Sequence, residues 1–179
     1  MMIKSRMIVG VVCVLAAVVL AAPLLAAADD DGPGATGSYL FKFLGVQAFF
    51  GPGTFVPGLA TLNADGTLTS VTGSDEAGPS SLFLVKNSAV HGTWSKTGPR
   101  SVGANALYLN FSPATGEVVS ITKLRIAATF DKHFQTATGD FFMSIYVCPT
   151  FVTCPDPLTT APTVPEPPTG QPFTLERIR

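Results

Sequence analysis

The sequence predicts an all-β fold, a single up-and-down antiparallel barrel of eight strands. Three observations predict it. Past the first 28 residues, no window carries apolar residues at helical spacing for more than two turns. Instead, β-rich runs recur at 38–50, 54–63, 67–72, 89–96, 105–111, 117–130, 134–147 and 173–178. Between several of these runs lies turn chemistry: Ala64-Asp65-Gly66, Thr97-Gly98-Pro99, residues 112–116 and Asp131-Lys132. Asp65-Gly66 suits a tight hairpin, because a type I′ turn needs positive φ at its central residues. Gly116 suits the left-handed position that closes a type I turn with a bulge. Short runs joined mostly by short turns read as a meander, and closing a meander removes the exposed edges that invite aggregation.

The chain opens on an export pattern. Lys4 and Arg6 form a positive start, residues 8–20 are apolar and uncharged, and Ala26-Ala27-Ala28 precedes Asp29-Asp30-Asp31. Basic, apolar, small, then acidic is the layout of a cleaved signal peptide. The apolar run is shorter than the roughly 20 residues a membrane helix needs. The expected organisation is a signal peptide over 1–28, a disordered mature N-terminus over 29–36, and a barrel domain over 37–179 with a Pro-rich loop at 149–172. The expected destination is secreted or periplasmic, with no membrane contact once the signal is removed.

Cleavage after Ala28 leaves 151 of the 179 residues, enough for one substantial core. It also removes two basic residues, so nine remain against twelve acidic ones. That balance offers no basic patch to a phosphate backbone, and nucleic acid is excluded as an expected partner. Cys148 and Cys154 are then the only cysteines. In an exported chain, two cysteines this close predict a disulfide closing one small loop. Zinc would need about four ligands, and His91 and His133 lie far off in sequence. No metal and no cofactor are expected.

The hairpin at 117–147 can be built explicitly. With Asp131-Lys132 as its turn, Arg125 stands opposite Thr138 and Lys123 opposite Asp140. One face then gathers Val118, Leu124, Ile126, Ala128 and Phe130 with Ala137, Phe141, Met143, Ile145 and Val147. The other gathers Lys123, Arg125, Thr129, Thr136, Thr138, Asp140 and Ser144. A one-residue slip would mix the sets. Carried back through the Gly116 turn, the pattern turns Leu107, Leu109 and Phe111 inward and Tyr108 outward.

The segment Gly92-Thr93-Trp94-Ser95-Lys96-Thr97-Gly98, with residues 61–67, 107–111 and the ending Leu175-Glu176-Arg177-Ile178, resembles small exported bacterial proteins with a calycin-like barrel. The resemblance spans most of the mature chain and rests on strand and turn pattern. It extends distantly to lipocalin, allene-oxide-cyclase-like and dirigent-like barrels. Lipocalins carry G-x-W near the first strand, whereas Gly92-Thr93-Trp94 lies mid-chain. The resemblance implies a barrel able to hold or guide an apolar molecule.

Catalytic residues are not legible. His133 falls at a hairpin tip and His91 points outward opposite to Trp94, and no G-x-S-x-G occurs. Trp94 reads two ways, as a core residue closing one barrel end with its N–H on a carbonyl, or as a cavity-lining residue. Asn110-Phe111-Ser112 matches the N-glycosylation pattern, and its bland reading is an unused match. The Pro-rich loop is long for a compact domain. Phe151 and Val152, inside the small disulfide ring, are expected to form a partial lid over a barrel mouth, while residues 158–168 stay mobile and solvated. Trp94, Phe151 and Val152 are therefore the candidate ligand-binding residues. Three functions compete: a barrel binding a small apolar ligand, a cyclase or isomerase-like enzyme, and a ligand-free module that dimerises through outward Val119, Ile121, Phe142 and Tyr146. An interior volume of roughly 300 Å³ or more would favour binding.

Overall fold

Turn residues and two-residue alternation decide the architecture strand by strand. The computed structural model describes residues 34–44, 55–72, 86–150 and 152–179. The strands are β1 (Gly37–Leu44), β2 (Phe55–Leu62), β3 (Thr67–Thr72), β4 (Lys86–Asn87), β5 (Val90–Lys96), β6 (Ser101–Phe111), β7 (Val118–Phe130), β8 (Thr136–Val147) and β9 (Gln171–Arg177). Among the described residues there is no helix.

Neighbouring strands pair antiparallel in chain order, β1 also pairs with β9, and β6 pairs with β7, so the sheet closes on itself as an eight-stranded barrel. β4 is the extra piece. It continues β5 along β6 after a break at Ser88, where Ser88 N–H donates to Leu109 O at 2.9 Å and Leu109 N–H to Ser88 Oγ at 3.0 Å. Gly66 and Gly116 adopt φ of 83° and 75°, as their turns require.

Alternation sends one end of the barrel shut. The turns 63–66, 97–100 and 131–135 all lie at that end, together with the chain's last residues. Tyr39 and Phe130 are the largest fully buried side chains and meet there as a tilted pair at 5.5 Å, with Phe134 against Phe130 at 5.6 Å. Residues 34–36, expected within the disordered N-terminus, are tied in: Ala35 is 2% exposed and accepts Tyr39 Oη–H at 2.8 Å. Arg177 donates to Gly34 O, Thr36 O and Phe134 O. The turn 112–117 lies at the opposite end, where β1, β3, β6 and β8 end and β2, β7 and β9 begin. Residues 1–33, 45–50 (expected within the first strand), 51–54, 73–85 and Phe151 lie outside the described residues.

Three sequence expectations are corrected. The β7–β8 turn is five residues long, so Phe130 faces Ala137, Arg125 faces Phe142 and Lys123 faces Ser144. Asp131 causes this: its Oδ1 accepts N–H groups of His133, Gln135 and Thr136, and Phe134 takes φ 53°. The pairing moves by an even number of residues, which leaves the expected faces intact. Val147, expected inside, is 45% exposed.

The second correction inverts β6. Phe111 pairs with Val118 but Asn110 with Ser120, so Val119 is an extra residue in β7. Straight pairing from Phe111 would turn Leu107 and Leu109 inward. One added residue flips every side chain beyond it. Val102, Ala104, Ala106 and Asn110 are buried, Tyr108 lines the interior, and Leu109 is exposed.

The third concerns the Pro-rich segment, which is an anchored strap on the outer wall of β7–β8. Val164 and Ile145 exchange backbone hydrogen bonds at 2.9 Å, and Val147 N–H donates to Thr163 Oγ1 at 3.1 Å. Lys123 Nζ donates to Pro157 O at 3.4 Å, and Arg125 pairs with Glu166 at 2.8 Å. Asp156 folds the strap's middle by accepting from Leu158 N–H and Thr159 Oγ1–H. The Cys148–Cys154 disulfide fixes its root. Residues 158–168, expected free in solvent, include three of these anchors.

Candidate functional site

Inside the barrel lies a cavity of about 180 Å³. Its origin is a mismatch of side-chain size across the interior. On one side stand Phe41, Phe43, Phe141 and Phe173, with Phe43 edge-on to Phe141 at 5.4 Å. Ala104 faces them from β6, and Ala60 on β2 and Ala128 on β7 flank them, leaving space that larger residues would fill. Leu62, Leu68, Leu124 and Leu175 complete an apolar wall above the Tyr39 floor.

The opposite end of the interior is polar. Asn110, Ser120 and Thr122 are buried in the wall. Asn110 Nδ2 donates to Ser120 Oγ and Thr122 Oγ1, each at 2.9 Å, and to Ser120 O at 3.4 Å. Asn87 stands opposite Asn110 across the β4–β6 pairing and lines the cavity. Its Oδ1 is buried without a hydrogen-bond partner. Tyr108 reaches Met143 Sδ at 3.9 Å from the same wall. Burial of Asn110 also takes the N-x-S match out of solvent.

The acids, histidines, lysines and arginines sit elsewhere. Among the described residues lining the cavity, none is an acid, a histidine, a lysine or an arginine. Burial raises the Tyr39 hydroxyl above its ordinary value, with Arg177 lowering it in part. That phenol is committed to Ala35 O, so the floor offers no free acid or base. Among the described residues, no three His, Cys, Asp or Glu side chains gather in a way that could hold a metal ion. His91 and His133 are exposed, His133 at the β7–β8 turn.

The sequence-derived ligand residues are dispersed. Trp94 is half-buried at the shut end, where Nε1–H donates to Asn63 O at 2.9 Å and Gly66 O accepts its backbone N–H. It packs on the core and is not among the cavity-lining residues. Val152 is 72% exposed on the outer strap, and Phe151 lies outside the described residues. Of the outward apolar stripe, Tyr146 is 3% exposed, and the Arg125 guanidinium covers the Phe142 ring at 4.0 Å. The chain itself occupies that face. Sequence reasoning missed Asn87 and the alanine wall. Alternation of small residues in Val102–Ala106 was the available signal for the latter.

Fold and site together define a closed eight-stranded antiparallel barrel with an internal cavity whose lining is apolar apart from Ser70, Thr72, Asn87 and two tyrosines. No family model, no curated protein and no solved structure matches this chain.

Proposed function

We propose that this chain is an exported, calycin-like barrel that binds one small apolar molecule in its interior. The observation that carries the reading is the cavity of about 180 Å³ with its apolar wall. A dry apolar cavity of about 150 Å³ is enough to take up benzene, so the scale is that of a single ring or a short chain. It is below the roughly 300 Å³ at which drug-sized ligands begin. Export is supported by the basic, apolar, small, acidic order of residues 4–31 and by a disulfide, a bond that persists in oxidising compartments. Among the described lining residues there is no acid, histidine, lysine or arginine, and the Tyr39 phenol is held by Ala35 O, which favours binding over acid–base turnover.

Two measurements test it. Secretion of the full chain from a bacterial host should give a protein whose first residue is Asp29. Toluene should raise the unfolding temperature of that protein in proportion to the logarithm of its concentration. Ala104→Phe, which fills the space opposite the phenylalanines, should fold and abolish the effect. A wild-type protein indifferent to toluene would end the binding reading.

A further inference from the structure

One wall of the cavity is aromatic, and this narrows the ligand class, an inference that rests on the binding reading above. Phe41 and Phe43 on β1, Phe173 on β9 and Phe141 on β8 line it from three adjacent strands. Their rings form a continuous series. Phe41 meets Phe43 at 6.1 Å and 17°, Phe43 meets Phe141 at 5.4 Å and 85°, and Phe141 meets Phe173 at 6.3 Å and 42°. Two glycines draw the end members sideways. Gly58 pairs with Phe41 across the strands, and Gly139 pairs with Phe173. A Cβ added to Gly58 would collide with Phe41 Cε1 and Cζ, and one added to Gly139 would lie 2.9 Å from Phe173 Cζ. Both rings therefore lean along the wall, over the neighbouring strand, instead of reaching across the barrel.

We infer that the ligand carries an aromatic ring, which joins this series as its fifth member. Aromatic rings favour offset or edge-to-face neighbours at centroid separations of about 4.5–7 Å, and all three contacts in the wall fall in that range. Phe43 and Phe141 stand nearly perpendicular, so a guest ring in any orientation is tilted or edge-on to at least one of them. Such contacts contribute beyond the area they bury, whereas a saturated ring or an alkyl chain gains the area term alone. The guest is uncharged, because among the described lining residues no acid, histidine, lysine or arginine could pair a charge buried there. The cavity of about 180 Å³ holds one such ring.

Toluene and cyclohexane, close in volume, separate the terms when each is titrated into the mature protein by calorimetry. Each affinity is divided by that compound's water-to-hexadecane partition coefficient, which removes the difference in hydrophobicity. The wild type should then favour toluene by about two- to tenfold, the worth of one aromatic pair. Phe43→Leu combined with Phe141→Leu replaces the perpendicular pair and should bring the two compounds to parity while both still bind. Parity in the wild type, or a preference for cyclohexane, overturns the aromatic class and leaves the cavity reading intact. An unchanged preference in the folded double variant overturns it as well. If neither compound binds the wild type, the binding reading falls and takes the aromatic class with it. Should the double variant fail to fold, the wild-type preference decides alone.

Discussion

Asp131 shows how one side chain sets a strand pairing. Its Oδ1 accepts backbone N–H groups from Gln135 at 2.8 Å, His133 at 3.3 Å and Thr136 at 3.4 Å, and these bonds, Gln135 first, hold its carboxyl below the ordinary carboxylate value. The folded group thus titrates below the unfolded one, which ionises near about 3.9. Ionised Asp131 therefore favours the fold above that value, and the contribution disappears as pH falls through the lower folded value. Asp131→Ala should lower the denaturation midpoint at about pH 7, and the gap from wild type should narrow once acid protonates the folded carboxyl. Urea titrations at neutral and acid pH check this. A gap that stays constant would mean that the turn depends on side-chain shape and not on charge. Asp65 repeats the arrangement on Thr67, whose hydroxyl and N–H both donate to it and lower its carboxyl.

At the scale of elements, the strap and the bulge matter most. The Pro-rich strap is anchored at Ile145, Val147, Lys123 and Arg125, all on or beside the face where Tyr146 is buried. With residues 158–168 expected mobile and solvated, the sequence alone predicts that replacing the segment changes stability little. The structure points the other way. Replacing residues 155–169 by a short Gly-Ser linker should destabilise the protein by about 2 kcal/mol, the scale of exposing one large side chain. Tyrosine fluorescence should report Tyr146 entering water. The Arg125–Glu166 pair contributes little of this, because Arg125 is half exposed and solvent screens it; Arg125→Ala alone should shift the unfolding midpoint only slightly.

For the whole molecule, closure is the decisive event. β9 lies between β1 and β8, joining Tyr39 to Arg177 across nearly the whole described chain. Deleting residues 171–179 would open two strand edges at once and uncover the Phe41, Phe43 and Phe141 wall. Open edges template pairing between chains. The truncated protein should therefore aggregate, visible as light scattering and loss of the monomer peak on gel filtration; a soluble monomer would show that eight strands are not needed to protect the edges.

Sequence by itself determined what neighbours in the chain decide. Gly66 and Gly116 took the positive φ their turns demanded, β7 and β8 kept the faces their alternation prescribed, and Cys148 joined Cys154 across six positions. These rest on local sterics and short reach, which a few adjacent residues encode. Tertiary structure decided the rest. Whether Ala104 or Leu107 faces inward depended on Val119, an extra residue in the partner strand, so β6 read in isolation faces the wrong way. The cavity depends on Ala104 of β6 meeting Phe43 of β1 across a closed barrel, an arrangement fixed only when β9 docks. Asn87 is an unremarkable polar residue in the sequence. Among the described residues its Oδ1 becomes the one buried side-chain polar atom left without a partner, because β4 lays it along β6, inside the wall and out of reach of water.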